Sequence, residues 1–255
     1  MKPLLGTACA GILAELAACP SLLAFDFDGT LAPIGLRETA AMQPTTLQLF
    51  AELCRRYPCA VISGRSRADT ESRLAGTAPA YVIGNHGLEP SELMRSLVPD
   101  LDEIRRSLLG SLGSDSEVDI EDKRYSVALH YRAARDKRRA LANIRAAVAR
   151  LAVPVRLVAG KLVVNVVHAQ APHKGDALGT LIARERAQMA LFAGDDVTDE
   201  DAFALAAPNV VTVRIGACRR TRAQYYLREQ HDIDRLLARL VAARDRGPDG
   251  ATFEI

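Results

Sequence analysis

The sequence predicts an α/β fold: a doubly wound parallel sheet interrupted by a smaller α+β domain. Three observations carry this. Short apolar runs alternate with helical patterns up to about residue 95. The order then changes to strand, strand, helix, strand, strand, and from about residue 171 the first rhythm returns. Strands alternating with helices call for a parallel sheet with helical crossovers. The larger domain is therefore expected at 1–95 and 171–255, split in sequence by an insertion at 96–170.

The elements follow in order. Leu4–Leu13 is apolar behind Lys2, the outline of a leader peptide, but Glu15 interrupts it and a core strand begins soon after. A helix packed on the domain is the better reading. Ser21–Phe27 is a continuous apolar run ending in acids, as a buried parallel strand requires. Pro44–Arg56 carries Leu47, Phe50 and Leu53 at helical spacing. Cys59–Ile62 reads as a strand, Arg67–Leu74 as a helix and Tyr81–Ile83 as a strand. Within the insertion, Val118–His130 reads as two strands, Arg135–Leu151 as a helix with one apolar face, and Val155–Val158 with Lys161–Val167 as a hairpin around Gly160. Then come a helix over His173–Arg186, a strand over Met189–Ala193, a helix over Glu200–Leu205, a strand over Val210–Ile215, two helices, and a frayed tail from Gly247.

Composition narrows the options. Hydrophobic residues are 49% and charged residues 25% of 255, the balance of a globular protein. A net charge of +2 gives no ground for a nucleic-acid partner. The basic tracts Arg132–Arg139 and Arg219–Arg228 read as solvated helix faces, with a phosphate-bearing ligand as the alternative. Cys9, Cys19, Cys54, Cys59 and Cys218 are odd in number and match no zinc spacing, so they are expected as free thiols in a reducing compartment. No run approaches the ~18 apolar residues of a membrane span.

In doubly wound sheets, ligands bind outside the carboxyl ends of the strands. Those ends carry Asp26-Phe27-Asp28-Gly29-Thr30, Ser63-Gly64-Arg65, Gly84-Asn85-His86-Gly87 and Gly194-Asp195-Asp196-Val197-Thr198-Asp199, and Lys174 opens a helix at the same edge. Carboxylates at this density repel one another unless a cation sits among them, and oxygen ligands suit a hard ion such as Mg²⁺. Asp26 and Asp28, two apart on a strand, share a face. One can attack phosphorus and the other can protonate the leaving oxygen and later activate water. Backbone amides of the Phe27–Thr30 turn, with Gly29 allowing close approach, can hold phosphate oxygens. Lys174 would neutralise nucleophile and phosphate, and Ser63 would hydrogen-bond the transferring group. For Asp199 with Glu200, helix capping is an equal alternative.

These motifs, in this order, resemble the haloacid dehalogenase-like phosphatases: Asp26-Phe27-Asp28-Gly29-Thr30, then Ser63, Lys174, and Gly194-Asp195-Asp196 with Asp199. The resemblance implies a Rossmann-like core, an aspartyl-phosphate intermediate and Mg²⁺. The ion would be held by Asp26, by the main-chain carbonyl of Asp28 and by Asp195, with Asp199 and Asp196 acting nearby. An acid at position 28 points to phosphate esters rather than to ATPase chemistry. Over nearly the whole chain, Ser63-Gly64-Arg65, Gly84-Asn85-His86-Gly87-Leu88-Glu89, Ala128-Leu129-His130-Tyr131-Arg132 and Gly194–Asp201 resemble the trehalose-6-phosphate phosphatase family. That implies a cap domain in the insertion and hydrolysis of trehalose 6-phosphate, with Lys123, Ser126, His130 and Arg132 reading the sugar from the cap and Arg65 and His86 from the core. Solvated strand residues are the alternative for His130 and Arg132, and a purely structural turn for His86. The implied protein is a cytoplasmic monomer with a small-molecule sugar-phosphate substrate and no nucleic-acid or membrane partner.

The chain departs from the family pattern at three positions. Asn165 stands where a Glu is usual, His168 where a Pro is usual, and Asn85 where many members have Glu. An amide accepts more weakly than a carboxylate, so another sugar phosphate, such as sucrose 6-phosphate or a glycosyl phosphoglycerate, is the second reading. A silent sensor or synthase partner domain is a third.

Overall fold

The computed structural model describes residues 1–6, 10–35, 39–90, 93–112, 117–160, 162–205 and 207–246. Cys9, Lys161 and the tail from Gly247 lie outside these residues, as does part of Leu4–Leu13. In chain order the elements are β1 (Lys2–Pro3), α1 (Ala10–Ala18), β2 (Ser21–Phe25), α2 (Pro44–Cys54), β3 (Cys59–Ile62), α3 (Arg67–Arg73), β4 (Tyr81–Ile83), α4 (Leu93–Leu112), β5 (Asp119–Asp122), β6 (Val127–His130), α5 (Lys137–Val148), β7 (Val155–Gly160), β8 (Val163–His168), α6 (Lys174–Glu185), β9 (Met189–Gly194), α7 (Glu200–Phe203), β10 (Val210–Ile215), β11 (Tyr225–Leu227) and α8 (Asp232–Arg246). They form two compact units, Met1–Gly87 with His173–Ile255, and Leu88–Pro172.

The first unit is built on a wholly parallel sheet in the order β1-β11-β10-β9-β2-β3-β4. All five residues of β2 are buried, because helices cover both faces. Leu23 and Phe25 join Phe50 and Leu53 of α2 and Leu236 and Leu237 of α8, while Leu22 and Ala24 join Leu178 and Leu181 of α6. Phe25 and Phe50 meet edge to face at 5.7 Å, a contact whose truncation to alanine costs about 3–5 kcal/mol. The chain leaves β2 toward β3 and β4 on one side and later returns to β9 on the other, so β2 and β9 flank the topological switch point.

Local chemistry sets the helix starts at this edge. Ser66 caps α3 by accepting from the Asp69 amide at 3.2 Å. At α6, His173 Nδ1 accepts from the Asp176 amide at 3.1 Å and Asp176 accepts from the His173 amide at 2.9 Å, a reciprocal cap that sets Lys174 as the first helical residue.

The second unit is an antiparallel sheet, β5-β6-β8-β7. Ile120, Leu129, Val127, Val164 and Val166 pack with Leu97, Leu101, Ile104 and Leu108 of α4 and with Ile144 of α5. The pleat sends Glu121, His130 and Asn165 to the opposite face.

Three expectations need correction. The insertion contains a helix, α4, that the strand and helix count omitted. And β10 is followed by a strand and one helix, not two helices. Tyr225–Leu227 pairs with Val213–Ile215 on one side and Lys2–Pro3 on the other, so Arg219–Arg228 is loop and strand rather than a basic helix face. The Arg132–Arg139 tract is likewise loop before it enters α5 at Lys137. Among the described residues, no helix is long and apolar enough to cross a membrane, and Cys19, Cys54, Cys59 and Cys218 are free thiols.

Candidate active site

The site grows from the strand ends at the switch point. The Asp26 amide donates to Ala193 O at 2.8 Å, joining the ends of β2 and β9. Carboxylate oxygens of Asp26, Asp195 and Asp199 lie within 4.8 Å of one another. Lys174 reaches in from α6, and its ammonium donates to Asp26 Oδ1 at 2.6 Å and to Asp199 Oδ1 at 2.7 Å. Lys174 is 2% exposed, Asp26 5% and Asp199 0%, so these charges face each other with little water between them. The other Asp199 oxygen accepts from the Asp196 amide at 2.9 Å and shapes the turn after β9. Neither the Asp28 nor the Asp196 carboxylate joins the group.

Charge balance decides what the cluster lacks. Burial pushes the Asp26 carboxyl well above its usual range; Lys174 opposes this, while Asp199 and Asp195 add to it. Burial pushes Asp195 up to about 7, helped by Asp199 and Asp196 and opposed by Lys174 and Arg214. Burial pulls the Lys174 ammonium down, but Asp199 and Asp26 outweigh it and hold it above its ordinary value. Asp26 and Asp199 thus share one lysine. Asp195 Oδ1 is buried without a hydrogen-bond partner, which is costly for an acceptor unless a cation meets it. Gly29, at φ +83°, leaves the space: a Cβ there would stand 2.2 Å from Asp195 Oδ2. An all-oxygen set with an unmet buried oxygen fits a hard divalent ion.

The loop after β2 departs from expectation in one respect. The amides of Gly29 and Thr30, expected as phosphate donors, donate instead to Ala32 O at 2.7 Å and Phe27 O at 3.3 Å. The Thr30 carbonyl accepts from Gln230 Nε2 at 2.9 Å, and its buried hydroxyl has no hydrogen-bond partner.

The ends of β3 and β4 are stitched together. Ser63 is fully buried and its amide donates to Ile83 O. Its Oγ accepts from the Arg65 amide at 3.1 Å, and its carbonyl accepts from the His86 amide at 2.9 Å. Asn85, His86 and Gly87 all stand at positive φ, of 48°, 60° and 119°. At Gly87 a Cβ would meet His173 O at 2.5 Å, so this tight turn lets the start of α6, and with it Lys174, lie close. The Arg65 side chain forms a fork on the Asp28 carboxylate and also reaches Asp69.

In the second unit, the expected sugar readers are only partly together. Lys123 Nζ donates to Asn165 Oδ1 at 3.1 Å, and Asn165 Nδ2 to Val158 O at 3.4 Å. His130 Nε2 lies 2.8 Å from Glu121 Oε2. Ser126 is buried, with its carbonyl accepting from the Lys123 amide, and Arg132 is exposed in the loop after β6. Sequence reasoning passed over Glu121, Asp69 and Gln230. A charge in the middle of strand β5 was the available signal for Glu121.

A doubly wound sheet with a lysine-tied carboxylate cluster at its switch point and an inserted α+β unit is the build of a haloacid dehalogenase-like protein. Within that class the chain belongs to the trehalose-phosphatase family, whose model matches residues 24–231. It is 34% identical over 209 residues to a trehalose-phosphate phosphatase of Mycobacterium marinum, covering 75% of this chain and 53% of that protein. It is 29% identical over 237 residues to a probable trehalose-phosphate phosphatase of Oryza sativa, covering 85% and 64%. The chain spans about half the length of the mycobacterial relatives it matches. The C-terminal domain of C. albicans trehalose-6-phosphate phosphatase superposes with a TM-score of 0.77 at 21% identity, covering 95% of this chain and 98% of that one. The C-terminal domain of a Candida albicans trehalose synthase regulatory protein gives 0.67 at 15%, covering 94% and 99%. These two likenesses show the fold alone.

Proposed function

We propose that this chain is a Mg²⁺-dependent phosphohydrolase that releases phosphate from trehalose 6-phosphate. The observation that carries the reading is the buried Asp26–Lys174–Asp199 junction beside the unmet oxygen of Asp195, in a chain of the trehalose-phosphatase family. With Lys174 on its Oδ1, Asp26 keeps Oδ2 for attack on phosphorus, which forms an acyl phosphate and breaks the bond to the sugar oxygen. Asp28 gives that oxygen its proton and then takes one from the water that hydrolyses the acyl phosphate, so trehalose and phosphate leave and Asp26 returns. Lys174, itself almost out of water, orients the nucleophile and offsets phosphate charge. Asp26 and Asp195, with Asp199 beside them and the Asp28 main-chain carbonyl, would hold the divalent ion, which supplies charge neutralisation at the phosphate. Ser63 and the turn at His86 would line the same rim. Lys123, Ser126, His130, Arg132 and Asn165 are proposed to read sugar hydroxyls.

A second reading is favoured by one observation. Asn165 accepts from Lys123 as a neutral amide, so a different sugar phosphate is the alternative substrate. The test is phosphate release from trehalose 6-phosphate, sucrose 6-phosphate and glucose 6-phosphate, with Mg²⁺ and with a chelator, for the wild type and Asp26→Asn. Metal-dependent release from trehalose 6-phosphate, lost in Asp26→Asn with the fold intact, is expected. Turnover surviving in that variant would show Asp26 is not the nucleophile.

A further inference from the structure

We propose that Arg65 is a positioning residue for Asp28 and not a sugar ligand; this rests on the phosphohydrolase reading above. Arg65 Nε donates to Asp28 Oδ2 and Nη2 to Asp28 Oδ1, both at 2.6 Å, while Nη1 donates to Asp69 Oδ2 at 2.7 Å. The Arg65 side chain is 5% exposed and the Asp28 side chain 41%. The guanidinium therefore grips the carboxylate from inside the domain, with little surface of its own to offer a sugar, and leaves the carboxylate open toward solvent. Its carbon stands 5.8 Å from the centroid of the Phe27 ring, which confines it further. Asp69 accepts in turn from Arg73 Nε at 3.0 Å, and Arg73 also donates to Ala40 O. Asp28, Arg65, Asp69 and Arg73 form a row of alternating charge anchored in α3.

An exposed aspartate otherwise samples several rotamers, whereas a two-point fork holds one direction. Proton delivery depends on that direction, since a donor must stand within hydrogen-bond reach of the leaving oxygen. The requirement scales with the leaving group. A sugar alkoxide or a phenolate needs the proton, and a nitrophenolate needs it far less.

The test uses the full chain with saturating Mg²⁺ and measures kcat and KM for p-nitrophenyl phosphate, phenyl phosphate and trehalose 6-phosphate. The variants are Arg65→Lys, Asp69→Asn and Asp28→Asn, with melting curves for each. Arg65→Lys keeps the charge and loses the fork. Its kcat is expected to fall about tenfold more on phenyl than on p-nitrophenyl phosphate, within the 10²–10⁴ that general acid catalysis supplies. Asp69→Asn, which never touches Asp28, should move the same ratio in the same sense by less, and it carries the test if Arg65→Lys does not fold. Combined with Asp28→Asn, Arg65→Lys should leave the ratio unchanged. Equal losses on the two sugar-free aryl phosphates would overturn the positioning role: a rise confined to KM for trehalose 6-phosphate would make Arg65 a sugar ligand, and a uniform loss would make it structural. A folded wild type inert toward all three substrates would sink the phosphohydrolase reading, and the positioning role with it.

Discussion

Replacing Lys174 with methionine isolates the charge balance of the site. Methionine keeps an unbranched apolar stem and adds no new polar group, so the main change is the lost ammonium. Lys174 sits 2.6 Å from Asp26 and 2.7 Å from Asp199, in a pocket where all three are nearly out of water. Removing one partner of a buried ion pair strands the other, at about 3–5 kcal/mol. For a chain of this size ~1 kcal/mol moves Tm by about 2–4 °C, so the expected drop is about 6–20 °C, within the 5–15 kcal/mol that holds a typical domain. The assay is calorimetric melting in chelator, repeated with Mg²⁺, which should raise the variant's Tm more than the wild type's because Asp26 and Asp199 then lack the ammonium they share. The pH dependence has a definite sign. Asp195, held near 7, binds in the folded state a proton that the unfolded chain has released, so chelated protein should lose stability as pH rises through that value. A Tm change in chelator of under about 3 °C, less than a buried pair can account for, would refute the buried-charge argument.

Gly29→Ala puts a methyl where Asp195 stands, at a φ that L-residues avoid. The backbone term costs about 1–2 kcal/mol, and titration calorimetry should show Mg²⁺ binding weakened by about tenfold or more, since a shift of that carboxylate by even 1.4 kcal/mol is tenfold. Asn165→Glu restores a charged acceptor beside Lys123. A charged hydrogen bond is worth about 1 kcal/mol more than a neutral one, so KM for trehalose 6-phosphate should fall about fivefold in steady-state assays. An unchanged KM would take Asn165 out of sugar recognition.

What could be read from the sequence is what topology alone enforces. Asp26, Lys174 and Asp199 are 148 and 25 residues apart in their contacts, yet they were legible together. The ends of parallel strands share one edge whatever the loops do, and Ser21–Phe25 is apolar enough to mark its own end. The helix α4 carried a signal too, since Leu97, Leu101, Ile104 and Leu108 keep helical spacing; Pro99 within it reads as a breaker and masked the period. Strand β11 was hidden by the arginines around Tyr225–Leu227, because its pairing with Val213–Ile215 is a long-range fact with no local period. The partners of Arg65 belong to the same kind. Its place after β3 was legible, but a guanidinium on that rim can face a ligand or a carboxylate. Only the register of α3 against the loop after β2, which brings Asp69 and Asp28 to either side of it, decides between them. Roles that depend on an element's position in the sheet therefore survive reading from the sequence, and roles that depend on one rotamer do not, which is why Arg65 and Asn165 are where mutation will be most informative.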